Sequence, residues 1–427
     1  MVGTGRLRRG QELASLAAVL GTASLVAFVA ERSVRVALVV ACLPLLILLC
    51  TRPVLAATVA VGLLPLAVDI VGGGPAKVSL PDLLMLLALA TGLLVTPSDA
   101  WRPLKAMLPL VGAYAAVLLF AVLAEPVVGA LVDGVQRLQI VLVPLAVGGV
   151  LLRVRQLDRA LSCYVATASL LAVTFALGVL PEALEFQKNP VGQYIAGAIL
   201  VVAFDPTRRL RLLSLAPLAY GLFQTQSRGA VLGLLVGLAA LLVARQGAER
   251  IRAAALLLPV LLVLGLSYAS LPDDVQRRTT TLSADAERKD GQESGGEYTI
   301  EIRKAYRDDA LRIVRSQPLT GVGIGNYRSG VEAEGTLTND PHNVLLLEAA
   351  EGGVPLAIGF LVLVVGATVL IWTRRGSTPL APLAMAVHVS IVSHGLVDVY
   401  WVRGTPVLGW LLVGAVLADA ARRRPRT

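Results

Sequence analysis

The chain has 427 residues, 56% hydrophobic and 16% charged, with a formal net charge of +9 and a mean hydropathy of +0.74. That is more apolar side chain than one soluble core can hide, and it falls in runs of about 15 to 21 residues, matching the roughly 20 needed to cross a bilayer. The positive charge is scattered over the short segments between these runs rather than massed on one surface, so it excludes a nucleic-acid interface as its explanation.

In chain order the runs predict fourteen spans: 13–30, 34–50, 53–71, 81–95, 104–124, 138–152, 160–180, 190–204, 210–226, 229–245, 252–270, 354–373, 379–398 and 404–420. Those at 81–95, 138–152 and 190–204 are short, so the expected number is about 12 to 14. Twenty-one Lys and Arg fall in segments of one side and only seven in the short loops of the other, while ten of the 38 lie in one long loop. Cytoplasmic loops retain positive charge. Both termini are therefore expected in the cytoplasm and the long loop, residues 271–341, outside. The basic start and first apolar run lack a convincing small-residue cleavage site, so retention in the membrane is expected. Cys42, Cys50 and Cys163 lie within predicted spans and read as packing residues, not as a disulfide framework or a metal site.

The long loop changes character midway. From Leu271 to Glu297 it is rich in Asp, Glu, Thr, Ser and Gly without apolar periodicity, which predicts a mobile segment. From Tyr298 to Ser316 apolar residues recur at helical spacing with Arg303, Arg307, Arg312 and Arg315 between them, predicting an amphipathic helix at the membrane surface. Pro318 ends it, and Gly321-Val322-Gly323-Ile324-Gly325-Asn326-Tyr327 predicts a tight glycine turn. No strand precedes that turn, so it is not a dinucleotide fingerprint. A further helix is expected with Asp340 as N-cap, Pro341 at its first position and His342 in its first turn, dipping into the outer leaflet until Gly352, Gly353 and Pro355 interrupt it.

His342 is the candidate for chemistry. At a helix head the dipole disfavours protonated imidazole, and a neutral imidazole can accept a proton; equally it can serve as a cap or bond a carbonyl. Asp69, Asp82, Gln193, Gln224, Gln226, Arg228, His394 and Asp398 lie toward outer helix ends and suggest a polar cup open outward. His394 and Asp398 are four apart on one face, where Asp398 either orients a histidine, holds an arginine or forms a structural ion pair. Arg137 and Arg228 at outer helix ends, and Arg303 and Arg307 in the loop, suit phosphate oxygens. His388 reads as a packing residue.

There is no P-loop, HExxH, CxxC pair or nucleophile elbow, so a substrate already in the membrane fits better than a soluble nucleotide or a bound zinc. The segments Pro318-Leu319-Thr320-Gly321-Val322-Gly323-Ile324-Gly325-Asn326-Tyr327 and Pro341-His342-Asn343-Val344-Leu345-Leu346-Leu347-Glu348-Ala349-Ala350-Glu351-Gly352-Gly353 resemble the signature of the O-antigen ligase and O-antigen polymerase superfamily. Gln226-Ser227-Arg228-Gly229-Ala230 and Arg303-Lys304-Ala305-Tyr306 are similar to it too.

The resemblance implies an all-α polytopic membrane fold of the lipid-linked-sugar glycosyltransferase class (GT-C-like) with one large external loop. It implies transfer or polymerisation of a glycan from undecaprenyl pyrophosphate onto an acceptor hydroxyl at the outer face of the cytoplasmic membrane, without metal, cofactor or nucleic acid. The acceptor would be a glycan or a lipid. His342 matches the family's loop histidine, Arg228 and Arg303 match arginines that hold the donor pyrophosphate, and Asp398 matches an acidic residue of the late helices. Tyr306 stands where the family carries a tryptophan or other bulky aromatic. Arg307, Arg137 and Asn343 are further candidate substrate contacts, with His394 and Asn326 in support.

Three parts are expected: a membrane domain at 1–270, the external loop with amphipathic and re-entrant helices at 271–353, and closing membrane helices at 354–427. A transporter or lipid-linked-glycan flippase is the alternative, disfavoured because no internal repeat is evident and the polar groups lie outward instead of near the midplane.

Overall fold

The structure is a computed structural model. It describes residues 52–66, 69–71, 78–95, 97–178, 188–205, 212–245, 297–327, 341–398 and 404–423, with a few isolated positions between 247 and 265. The predicted spans at 13–30 and 34–50, most of that at 252–270, the segment 271–296 and the proposed N-cap Asp340 lie outside the described residues.

The described chain is helical but for one small hairpin. In order it forms α1 (Pro53–Gly62), β1 (Asp69–Val71), β2 (Val78–Ser79), α2 (Leu80–Val95), α3 (Pro97–Ala124), α4 (Val128–Arg153), α5 (Leu157–Ala176) and α6 (Lys188–Phe204). Then follow α7 (Leu215–Gln224), α8 (Arg228–Ala244), α9 (Glu297–Ser316), α10 (Val344–Thr373), α11 (Ala381–Gly395) and α12 (Val407–Arg423). Four of these, within α3, α4, α5 and α10, are both long and apolar enough to cross a membrane, and α8 and α11 are shorter apolar helices. This is an all-α polytopic membrane protein.

Three expectations need correction. The span predicted at 53–71 is helical only to Gly62; the chain then turns, and Asp69–Val71 pairs antiparallel with Val78–Ser79. Apolar content alone could not distinguish that run from a spanning helix. Asp82, placed above in the polar cup, instead caps the start of α2, accepting from the Ser79 amide at 3.0 Å and its hydroxyl at 2.6 Å. The span predicted as short at 138–152 is in fact α4, 26 residues long, because Val128–Arg137 continues the helix with a polar face.

Lipid offers little hydrophobic drive for helices to associate, so close packing at small residues carries the assembly. At the crossing of α4 and α12, a Cβ at Gly148 would overlap the Leu411 carbonyl oxygen, and one at Gly414 would overlap that of Leu145. Gly229, Gly233 and Gly237 of α8, one turn apart, lie against His394, Ser390 and Ala386 of α11. These backbones are in contact. α6 is enclosed on all sides, with every residue from Asn189 to Ala203 buried, whereas α3 and α10 pack together and point Leu108, Leu119, Phe120, Ile358, Val362 and Val365 outward. Outward apolar side chains on the long helices and a closely packed interior are what a bilayer solvent requires.

Candidate functional site

Asp398 is 2% exposed and follows the end of α11, its amide bonded to the His394 carbonyl at 2.9 Å. A buried carboxylate is costly unless its lone pairs are used. Both oxygens are used here. Oδ1 lies 2.8 Å from His342 Nδ1, and Oδ2 accepts from Asn189 Nδ2 at 2.6 Å and from the Arg303 guanidinium at 3.5 Å. Four segments meet at this one group: the head of α6, the middle of α9, the approach to α10 and the end of α11.

His342 is not in the first turn of its helix. It stands at φ +46°, just before Asn343, whose side chain accepts from the Leu346 amide at 3.0 Å and is the true N-cap of a helix beginning at Val344. The cap expected at Asp340, with Pro341 at the first helical position, is thus replaced by Asn343, whose side-chain carbonyl reaches the third amide of the helix. The Asn343 amide group also donates to the Leu396 carbonyl at 2.8 Å, tying the head of α10 to the end of α11. That bond sets His342 against Asp398. Against a carboxylate, which accepts, the tautomer that makes this contact a hydrogen bond carries its proton on Nδ1 and its lone pair on Nε2. The Tyr306 ring stacks on the imidazole at 5.9 Å between centroids and 18° between planes, and Tyr306 is held in turn by a bond from the Tyr327 hydroxyl to its carbonyl at 3.0 Å.

Arg303 and Arg307 lie one turn apart on α9; Arg303 is partly exposed and Arg307 exposed. The amphipathic helix predicted at Tyr298–Ser316 is present, but its apolar face, Ala310 and Ile313, packs on Tyr327 and on Ala350 of α10. Arg228 is exposed at the first position of α8, after the Ser227 cap, whose hydroxyl accepts from the Ala230 amide at 3.3 Å. It leaves α8 beside Gly229, where a Cβ would meet the His394 ring at 2.5 Å. His394 is buried and bonds Gln193 at 2.7 Å, one turn below Asp398. His388 is buried too, 3.2 Å from the Val364 carbonyl and edge-on to Trp410, as a packing residue would be.

Arg137 has a different setting from the one expected. It pairs with Asp133 of its own helix at 2.9 Å, with Glu348 at 2.9 Å and closely with Glu351. Tyr114 of α3 donates to Glu348 at 3.4 Å. With three carboxylates around one guanidinium, this arginine has no charge to spare for a phosphate. It pins the head of α10 to α3 and α4.

The glycine turn rests on the same part of α10. Gly353, at φ +74°, breaks the helix, and Pro355 has no amide to give to the Glu351 carbonyl. The loop supplies what is lost: the Val322 amide donates to the Ala350 carbonyl and the Gly323 amide to that of Glu351, both at 2.9 Å, while the Val354 amide donates to the Pro318 carbonyl at 2.8 Å. Gly321 and Gly323, both at positive φ, approach so closely that a side chain at either would overlap its neighbours. Asn326 is partly buried in this turn, its amide bonded to the Gly323 carbonyl at 3.2 Å, and is not among the partners of Asp398.

Sequence reasoning singled out His342, Asp398, Arg303 and Asn343, and the structure brings these together. It missed Asn189, 209 residues from Asp398 in sequence, whose only signal was a polar residue at the head of an apolar run. Gln193 was seen, but not its bond to His394. Among the described residues no group of three or more His, Cys, Asp or Glu is placed to hold a metal ion.

Residues 213–361 match the family model described as O-antigen ligase. The match runs from α7 to the middle of α10 and includes Arg228, Arg303, Arg307, Asn326, His342 and Asn343. It bears out the resemblance to the O-antigen ligase and polymerase superfamily, and with it a multi-pass membrane enzyme of ligase or polymerase type acting on lipid-linked glycans. Asp398, Asn189, His394 and Arg137 complete the arrangement from outside the matched segment. Among curated proteins no significant match is found.

Proposed function

We propose that this chain, whose residues 213–361 belong to the O-antigen ligase family, transfers a glycan from undecaprenyl pyrophosphate to an acceptor hydroxyl at the outer face of the cytoplasmic membrane. The single observation that carries the mechanism is the His342 Nδ1 to Asp398 bond of 2.8 Å, which leaves Nε2 as the basic nitrogen. In this reading Nε2 takes the proton of the acceptor hydroxyl as its oxygen bonds the anomeric carbon. The bond from that carbon to the pyrophosphate oxygen breaks, and the electron pair leaves with the lipid pyrophosphate. Asp398 orients the imidazole and stabilises its charged form, as a buried carboxylate beside a catalytic histidine does.

Arg228, Arg303 and Arg307 are the groups we assign to the departing pyrophosphate, where cations lower the barrier most. Arg303 also touches Asp398, so it links the leaving-group side to the base side. Arg137 is not assigned this role, because its charge is met by Asp133, Glu348 and Glu351. The chemistry asks for neither metal nor nucleotide, since the donor is already activated by its pyrophosphate. The folding class we infer is that of the lipid-linked-sugar glycosyltransferases.

His342→Ala tests the mechanism. The expected result is loss of surface glycan while the protein remains in the membrane at normal level with unchanged melting temperature. Full glycan output from that variant would sink the base assignment. Mass analysis of lipid-linked glycans in a deletion strain then separates two modes: accumulated single repeat units mark a polymerase, and accumulated long lipid-linked chains mark a ligase.

A further inference from the structure

Beside the glycine turn lies a pocket of about 640 Å³, lined by Glu125, Gln317, Thr320, Gly321, Gly323 and Asn326. Nothing in the transfer mechanism uses it. Glu125 projects from the link between α3 and α4, and the other five residues come from the turn after α9. With no side chain at Gly323, Glu125 and Asn326 close over its backbone: a Cβ there would overlap Glu125 Oε2 and would stand 2.8 Å from Asn326 Nδ2. A carboxylate acceptor and a carboxamide donor thus lie side by side in the pocket lining, which Thr320 and Gln317 also share. That pairing of acceptor and donor over a bare glycine backbone is suited to adjacent hydroxyl groups, each of which both donates and accepts.

The pocket is also fixed relative to the reaction centre. The Gly323 amide is bonded to the Glu351 carbonyl, and Glu351 lies eight residues along α10 from Asn343. At 1.5 Å per residue this is about 12 Å of helix from the histidine to the pocket's support. A second route joins them through Tyr327, whose amide donates to Glu351 at 3.4 Å and whose hydroxyl holds Tyr306 against His342. The turn and the histidine are therefore linked through α10 and through Tyr327.

We propose that this pocket is a glycan subsite, binding vicinal hydroxyl groups of sugar units some distance along the chain from the one being transferred. The proposal rests on the glycan-transfer reading above and adds to it a place where repeat-unit identity is read. Binding energy from such remote units serves to position the reacting bond. A glycan too short to reach from the histidine to the turn would then react slowly even when its reducing end is correct.

The test uses the full chain in lipid nanodiscs and, as probe, the repeat-unit oligosaccharide released by mild acid from the host strain's own lipid-linked glycan. Saturation-transfer NMR and a titration read binding without any transfer step. Wild type and His342→Ala are expected to bind alike, whereas Glu125→Ala should weaken binding roughly tenfold or more, the worth of a hydrogen bond to a charged group. Glu125→Gln, which can still bond a hydroxyl, should retain most of it. Glu125 is exposed on a link between helices, so unchanged melting of these variants is expected to accompany the loss. Absence of binding to wild type, or equal affinity in Glu125→Ala, overturns the subsite. Glycan output from His342→Ala would overturn the transfer mechanism and leave the binding result standing, so the two failures are distinct.

Discussion

Asp398 divides its two oxygens between different tasks. Oδ1 faces the imidazole, and Oδ2 is occupied by Asn189 and Arg303, so the carboxylate cannot rotate without breaking a buried bond. Asn189 is 7% exposed and supplies the shorter of the two bonds on Oδ2. Its removal frees the carboxylate to tilt away from His342. Misplacement of a catalytic group by about 1 Å costs on the order of a hundredfold in rate. Asn189→Ala is accordingly expected to lower transfer about ten- to a hundredfold with donor affinity little changed, read from initial rates over a range of lipid-linked donor. Asn189→Asp should be worse, since it sets a second carboxylate against the first. An Asn189→Ala enzyme with wild-type rate would show that Asp398 is held by other means. The sequence made Asp398 visible because ionisable groups at membrane depth are rare, and His342 because one of only three histidines stands by a helix head at the end of the long loop. Asn189 did not stand out, since a single amide near a helix head has many ordinary uses.

At the scale of elements, α10 carries the design. Its first two turns, Val344 to Gly352, present the histidine's anchor at one end and receive the glycine turn at the other, and Gly353 separates them from the long apolar helix that follows. Arg137 with Glu348 and Glu351 fastens this piece to α4, and Tyr114 to α3. Removing one partner of a buried ion pair leaves uncompensated charge, at a cost of about 3–5 kcal/mol. Arg137→Ala should therefore lower the melting temperature and the amount of protein in the membrane, rather than selectively weakening donor binding. A stable Arg137→Ala protein with reduced donor affinity alone would restore Arg137 as a pyrophosphate contact. The interruption by Gly352, Gly353 and Pro355 was legible beforehand because glycine and proline act locally. The start of the helix was not: Asp340 and Asn343 are both good caps, and the choice fell to Asn343, which also reaches the end of α11.

For the whole molecule, the outward leucines, valines and phenylalanine of α3 and α10 define a lipid-facing surface, and the enclosed α6 and α12 define the centre. From the distribution of Lys and Arg we propose that residues 271–341 lie on the outer side with both termini inside. A reporter active only outside the cytoplasm, inserted near residue 290, is expected to be active, and a fluorescent protein fused after Thr427 is expected to fluoresce. The opposite pattern would put the proposed site on the wrong side for a surface glycan. Amino-acid order alone determined the apolar helices, the amphipathic helix at Tyr298–Ser316, the glycine turn and the candidate histidine. Each follows from hydropathy, period or backbone preference within a few turns of chain. Only the tertiary structure decided which residue holds Asp398, that Arg137 pairs with Asp133, Glu348 and Glu351, and that Glu125 and Asn326 both close on Gly323. Those facts depend on how helices far apart in sequence cross, and pairing between distant side chains leaves no periodic trace along the chain.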